Sequence, residues 1–262
     1  MPGDPRRSAR LCDVWAGGTN HDLADEDRAR EIEQVIPGAR ELSRLNREFL
    51  LGSVRWAAGQ GVAQFLDLGC GLPRPDGPNT HDAAGPGAVV VYADGDEDIL
   101  DEARVVLGGE DEQLPPGVAV ARCDIWEPEK TLAAARDEGL DLSRPACLVL
   151  GLVLHYLPPA AVQDMLRRYA AGIAPGSVFA ATVRRVDDHA AWARLEAMTS
   201  PGVYNHSRMD LTTAAESAGL EIVPPGAGVV GGMRPGWGDY RERVPGAAYC
   251  LGLVARKPGG AR

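Results

Sequence analysis

Three acidic residues follow short apolar runs of the chain, and glycines stand beside two of them. Each run has the length of a buried strand, so each acid is predicted at a strand exit. The carboxyl ends of parallel strands form the edge of a sheet where small ligands bind. The sequence therefore predicts a ligand site built from Asp67, Gly69, Cys70, Gly71, Asp94, Gly95, Cys123, Asp124 and Ile125.

The chemistry of these exits favours an adenosine ligand without phosphates. The glycines allow a tight turn and a close approach to a ligand. Asp94 is placed to accept the hydroxyls of a ribose, while Asp124 could bind an adenine amino group and Ile125 could pack on its ring. Arg74 stands where a dinucleotide fingerprint requires a third small residue. S-adenosylmethionine (SAM) is compatible with such a site because it carries a sulfonium and an amino acid group, not a pyrophosphate.

Each of these residues also has a structural interpretation. Asp67 could anchor the turn after the first strand, and Asp124 could be an ordinary turn residue or a helix-capping residue. His155 follows an apolar run, where a core histidine is as compatible with the pattern as a ligand or a base. Cys70 and Cys123 are interpreted as small packing residues of the site. Trp237, within the glycine-rich segment 226–238, fits an acceptor-side loop and an irregular hairpin equally well.

Alternating strands and helices must position these exits. Helices are predicted over residues 25–36, 39–58, 99–107 and 162–173, and Thr213 and Glu216 have capping-box spacing. Strands are predicted over residues 63–68, 88–93, 118–122, 146–154, 177–183, 221–223 and 247–255. Two helices thus precede the first strand. The alternation predicts an α/β fold with a mostly parallel sheet covered on both faces.

Composition limits the classes of partner. The chain has 262 residues, of which 45% are apolar and 24% are charged, as expected for one globular domain. A net charge of −10 argues against nucleic acid. No apolar run has the length of a signal peptide or a membrane span, and the five cysteines form no CxxC pair. We expect a cytoplasmic protein without a metal site or membrane contact, and a homodimer is left open.

Ordered motifs across the first two thirds of the chain resemble an actinobacterial-type family of SAM methyltransferases, first defined as a domain of unknown function. The motifs are Val14-Trp15, Gly17-Gly18, Ala24-Asp25, residues 45–50, residues 64–73, Asn79 with His81, residues 90–96, residues 123–128 and Leu154-His155-Tyr156, with Pro175-Gly176-Ser177 beyond them. So many motifs in one order are more specific than the two glycines alone.

The resemblance implies a Rossmann-like class I methyltransferase fold, whose seven-stranded sheet is mostly parallel with an antiparallel last strand. It implies a helical lid in residues 1–60, a SAM-binding core in residues 61–262, S-adenosylhomocysteine (SAH) as product, and a small-molecule acceptor in bacterial secondary metabolism. It adds Gly18, Asn46 and Arg47 to the cofactor residues, as a lid or at the carboxylate of SAM.

The lid of this chain departs from the family pattern at two positions. Thr19 replaces a lysine and Asp22 replaces an aromatic residue. A third departure is Cys70, which stands between the two glycines of the turn where the family pattern has threonine. These departures leave open cyclisation or elimination within SAM, or binding of SAM without turnover. If the acceptor must lose a proton, His155 and His21 are the candidate bases.

Overall fold

The computed structural model of the chain describes residues 5–109, 113–199, 203–236 and 248–259. Its helices are α1 (Pro5–Ala16), α2 (Leu23–Val35), α3 (Ala39–Gly59), α4 (Thr80–Ala84), α5 (Glu97–Gly108), α6 (Pro128–Asp137), α7 (Pro159–Ala171), α8 (His189–Met198) and α9 (Arg208–Ser217). Its strands are β1 (Gln64–Leu68), β2 (Val89–Asp94), β3 (Val118–Arg122), β4 (Cys147–Gly151), β5 (Val178–Val186), β6 (Glu221–Ile222), β7 (Gly228–Val229) and β8 (Ala248–Arg256).

The strands form one sheet in the order β3-β2-β1-β4-β5-β8-β6, and β7 also pairs with β8. Strands β1 to β5 run parallel, whereas β8 is antiparallel to β5, β6 and β7. The predicted seven-stranded, mostly parallel sheet with an antiparallel last strand is confirmed, and the two-residue β7 is an addition to it. The strand order reverses between β1 and β4, which opens a crevice at their carboxyl ends.

Helices cover both faces of this sheet. Right-handed crossovers place α4 and α5 on one face and α6 and α7 on the other. Helix α3 packs beside α4 on the first face, and α9 packs beside α7 on the second. Strands β1, β2 and β4 are mostly buried between these layers, as expected for parallel strands of apolar sequence, whereas the edge strand β3 is only partly buried.

Local capping explains where two helices begin. Helix α2 starts two residues before the predicted position because Asp22 caps it, accepting from Asp25 N at 2.9 Å in a capping box. The capping box predicted from Thr213 and Glu216 is wrong. Both residues lie inside α9, whose capping box is formed by Ser207 and Asp210.

The expectation of two helices before the first strand is also wrong, because α1 precedes them and packs against α2 and α3. Polar contacts join α1 to the core, in addition to its buried Leu11 and Val14. Arg10 pairs with Glu102 on α5, Tyr156 Oη bonds Ser8 Oγ at 2.6 Å, and Arg74 donates to the carbonyl of Ala16. In the described part of the chain, no helix combines the length and apolarity needed to cross a membrane.

Candidate active site

The turn after β1 has a backbone that requires glycine. Gly69 and Gly71 have φ of +66° and +59°, in the left-handed region. The N–H groups of Gly69 and Cys70 donate to Ala93 O at 2.7 and 3.1 Å, which ties the turn to β2. A Cβ atom on Gly69 would lie 2.3 Å from Val153 Cγ1. The turn therefore leaves bare backbone at the carboxyl edge of the sheet.

Asp94 joins the exits of β1 and β2. Its Oδ2 accepts from Gly71 N at 3.1 Å and its Oδ1 accepts from Asp96 N at 3.2 Å. Burial raises the pKa of this carboxyl, and backbone N–H groups oppose the shift. Such a carboxylate gains from further hydrogen-bond donors supplied by a ligand.

The exit of β3 lies directly beside that of β2. Cys123 N donates to Asp94 O at 2.8 Å, and a Cβ atom on Gly95 would lie 3.3 Å from Cys123 O. Burial, with the charges of Asp94 and Asp124, raises the pKa of the Cys123 thiol to about 12. The thiol is therefore neutral at pH 7 and acts as a small packing group.

Asp67 contacts α4 and not the glycine turn. Its Oδ2 accepts from Thr80 Oγ1 at 2.5 Å. Burial raises the pKa of Asp67 to about 6, while the Thr80 hydrogen bond and the positive charge of Arg47 oppose the shift. No hydrogen bond joins its carboxylate to the backbone of residues 69–71 in the described structure, so Asp94 orients that turn.

Arg47 and Asn46 reach the same edge from α3. Arg47 Nη2 donates to Pro78 O at 2.6 Å and to Asn79 Oδ1 at 2.9 Å, which connects α3 to the start of α4. Asn46 is buried, and its amide oxygen has no hydrogen-bond partner. A buried acceptor without a donor is costly, so this oxygen is available to a ligand.

Asp124 and Ile125 lie in the turn between β3 and α6. Asp124 is exposed, and its Oδ1 accepts from Trp126 N at 2.9 Å, which is the turn-forming contact that the sequence left as an alternative. Ile125 is partly buried against the core beside it. The structure thus brings Asp67, Asp94 and Asp124 to one edge, on three neighbouring strands.

The exit of β4 differs from its prediction. The predicted strand over residues 146–154 ends at Gly151, because Leu152 takes φ of +56° and the chain enters a short 3-10 helix at Leu154–Tyr156. Leu152 N donates to both the carbonyl and the hydroxyl of Thr182 on β5, at 3.2 and 3.1 Å. A left-handed leucine costs about 1–2 kcal/mol, and such strain is concentrated at functional sites.

His155 lies on this 3-10 helix and is buried, with Nδ1 lacking a partner. Burial, followed by the charges of Arg184 and His206, lowers its pKa well below 6.5. His206 Nε2 contacts two carbonyl oxygens, of Leu154 and Leu157, so that nitrogen must carry the hydrogen. His155 is therefore a neutral imidazole in a fixed loop.

His21 and Gly18 line a different part of the surface. Both border a groove of about 300 Å³ with Val14, Glu26, Arg30 and Arg40, and no strand-exit residue lines it. His21 Nδ1 lies 2.7 Å from Asp13 Oδ2, and a Cβ atom on Gly18 would lie 1.9 Å from Asp13 Oδ1. The structure does not bring these two predicted site residues to the strand exits.

Several contacts of the site were not found from the sequence. Thr80 and Asn79 act through hydrogen bonds that no local pattern predicts, and Arg184 lies in a strand predicted to end at Val183. Helix α1 did carry a signal, because Leu11, Val14 and Trp15 have helical spacing. Trp237 lies outside the described residues.

Comparison with known proteins assigns the chain to a family. The sequence profile of the S-adenosyl methyltransferase family matches residues 3–258. The chain belongs to this family. The predicted resemblance to this family is thereby confirmed. The glycine turn and Asp94 are therefore interpreted as parts of a SAM methyltransferase.

Solved structures with high similarity agree with membership of the S-adenosyl methyltransferase family. A Thermobifida fusca protein described as a candidate methyltransferase is 30% identical, with a TM-score of 0.81 over 99% of this chain and 96% of that chain. A Streptomyces avermitilis protein of the DUF574 family is 26% identical, with a TM-score of 0.77 over 98% of each chain. The comparison with functionally curated proteins finds no match.

A more distant structure shares the fold alone. Magnesium protoporphyrin IX methyltransferase from Synechocystis, solved with bound SAH, is 15% identical, with a TM-score of 0.54 over 90% of this chain and 95% of that chain.

Proposed function

We propose that this chain transfers a methyl group from SAM to a small-molecule acceptor at the carboxyl edge of its sheet. Membership of the S-adenosyl methyltransferase family supports SAM as the donor. The observation that carries the site is the partly buried Asp94 carboxylate, hydrogen-bonded to the glycine turn after β1.

The residues at the strand exits suit SAM. Asp94 would accept the ribose hydroxyls, and the bare backbone at Gly69 and Gly71 would lie against the methionine part of the ligand. The unpartnered amide oxygen of Asn46 suits an ammonium group, with Arg47 on the next position of α3 for the carboxylate. A site with acidic residues also suits a sulfonium cation.

The remaining cofactor contacts follow from the order of the strands. Asp124 and Ile125 would face the adenine, with Gly95 and Cys123 forming the wall between adenine and ribose, and Cys70 completing the turn. SAM supplies an electrophilic methyl carbon when it is bound. The protein must then align the acceptor and exclude water.

Helix α1 is placed to exclude water. The Cβ atom of Ala9 lies 3.6 Å from the position that a Cβ atom on Gly71 would take, so α1 covers the glycine turn directly. A lid over the cofactor must open for exchange, and opening of α1 would break its pairs Arg10 with Glu102 and Tyr156 with Ser8. This assigns the lid function to α1, with the turn at Gly18 at its end.

His155 is the group proposed to contact the acceptor atom. Its neutral imidazole can accept a proton or a hydrogen bond from a hydroxyl or amine. His21 is the second candidate, held by Asp13 in its own groove. Normal turnover in both His155→Gln and His21→Gln would refute a catalytic base at either position.

The experiment uses SAM with a labelled methyl group and a bacterial small-molecule extract as the source of acceptors. We expect label in the small-molecule fraction and SAH as the nucleoside product, with both lost in Asp94→Asn. Asp101→Asn is the matched control, because Asp101 is exposed on α5 and pairs with Arg104 on the same helix, at 2.6 Å.

Other products would overturn methyl transfer. Formation of 5′-methylthioadenosine would instead show elimination or cyclisation within SAM. SAM that binds and stays unchanged would show a protein that binds without turnover.

A further inference from the structure

Strand β5 extends past the end of its neighbour and carries an arginine into the crevice. The last residue of β4, Gly151, pairs with Thr182, whereas β5 continues to Val186 and pairs there only with β8. Arg184 lies two residues beyond Thr182, so both side chains leave the same face of the sheet. Strand β5 is two positions from β1, about 10 Å away, so Arg184 lies on the side away from the adenosine residues.

The guanidinium of Arg184 has no counter-charge among the described residues. Its Nε is buried without a hydrogen-bond partner, and no described carboxylate lies within ion-pair distance of it. The adjacent Arg185 differs, because it bonds Asp187 at 2.8 Å and Asn205 O at 2.9 Å. A partly buried charge without a partner is costly, and an anionic ligand would remove this cost.

Four described groups interact electrostatically with Arg184, and none of them is an anion. They are Cys12 on α1, His155 and Tyr156 after β4, and Cys250 on β8. Burial raises the pKa of Cys12, of Tyr156 and of Cys250, and lowers that of His155, so all four are neutral at pH 7.

A second group that can only donate hydrogen bonds lies on α1, on the helix face that carries Cys12. Ser8, Cys12 and Trp15 are spaced at i, i+4 and i+7 along α1, and Ser8 already contacts Tyr156. The indole Nε1 of Trp15 is buried without a partner. Indole and guanidinium N–H groups can only donate, so a ligand that satisfies either of them must supply acceptors.

We propose that the methyl acceptor is a small aromatic carboxylate, whose carboxylate is bound by Arg184 with His155 beside the acceptor atom. The inference rests on the proposed methyl transfer and names its substrate class. Tyr156 and Tyr204, 37% and 36% exposed, lie next to His155 and suit a flat ring. Arg184 is therefore a specificity-determining residue.

Arg184 could bind the carboxylate of SAM instead of that of the acceptor, and the experiment distinguishes these two ligands. Protein saturated with SAH is titrated with 4-hydroxybenzoate and with the uncharged 4-hydroxybenzamide, followed by NMR. We expect the carboxylate to bind at least about tenfold more tightly, as for a charged hydrogen bond. Arg184→Gln should remove this preference and leave the affinity for SAH within about twofold of the parent's.

Two control variants test whether the loss of preference comes from the missing charge of Arg184 or from a disturbed fold. Arg184→Lys keeps the charge and should retain part of the preference. Arg185→Gln removes the neighbouring charge, which already has partners, and should retain all of it.

Three results would overturn the inference. The first is that 4-hydroxybenzoate and 4-hydroxybenzamide bind the parent with equal affinity. The second is that Arg184→Gln still binds the carboxylate more tightly than the amide. The third is that Arg184→Gln lowers the affinity for SAH as much as Asp94→Asn does. The last result would assign Arg184 to the amino acid end of SAM. A parent that binds no SAH removes the proposed function itself, whereas SAH binding without a carboxylate preference removes only the acceptor class.

Discussion

The carboxylate of Asp94 accepts a hydrogen bond from the backbone N–H of Gly71 at 3.1 Å. This bond joins the exit of β2 to the turn after β1, so the proposed ribose-binding acid and the glycines act as one unit. The acid is held in place before any ligand arrives, which lowers the entropic cost of binding. Substitutions of Asp94 or of Gly71 should therefore lower the affinity for the same ligand.

Gly69→Ala should destabilise the fold more than Gly61→Ala. Both glycines have positive φ, so each alanine costs about 1–2 kcal/mol. Gly61 has open space around it, whereas a Cβ atom on Gly69 would lie 2.3 Å from Val153 Cγ1. Overpacking adds about 1–3 kcal/mol to the loss at Gly69. Urea denaturation of both variants measures the difference, and equal losses would contradict the close packing of the turn.

The stability of the protein should depend on pH through Asp67. The pKa of this carboxyl is about 6 in the folded state and 3.8 as its ordinary value. Between these values the folded protein keeps a proton that the unfolded chain has released, so the free energy of unfolding falls as pH rises. The fall is at most about 3 kcal/mol.

Asp67→Asn removes the titration and tests this sign. Urea denaturation of parent and variant at intervals from pH 4 to pH 7 should show the parent losing stability relative to the variant. The two curves should become parallel above the folded pKa. A difference that stays constant over the whole range would show that Asp67 is not desolvated.

Loss of the Arg10–Glu102 pair should loosen α1. Because the pair is partly exposed, it contributes about 0.2–1 kcal/mol. Arg10→Gln should therefore increase amide hydrogen exchange in residues 8–16 by about 1.4-fold to fivefold. Arg104→Gln, which removes exposed pairs on the same α5, is the control. Unchanged exchange in Arg10→Gln would show that α1 is held by its apolar contacts alone.

The sheet could be predicted from the sequence because its strands are mostly apolar and separated by clear turn signals. The prediction failed at β4, where residues 152–154 continue the apolar run. Leu152 turns the chain through a left-handed conformation that is fixed by its bonds to Thr182, a residue of the next strand. A tertiary contact of this kind has no local signal.

The site residues also divide into those that local sequence predicts and those that depend on tertiary structure. Asp94 was found because a strand exit is a property of the local sequence. Arg184 was missed because its meaning depends on the extra length of β5 beyond β4. His21 was selected for its expected position in the cleft, yet it lies in a groove that none of the strand exits lines.

Calorimetric titration with SAH of the parent, Asp94→Asn and Asp101→Asn tests the central claim most directly. We predict that the parent and Asp101→Asn bind SAH alike, and that Asp94→Asn loses about 1.5–3 kcal/mol, the value of hydrogen bonds to a charged group. Equal affinity in all three proteins, or no binding by the parent, would contradict a SAM site at the exits of β1 and β2.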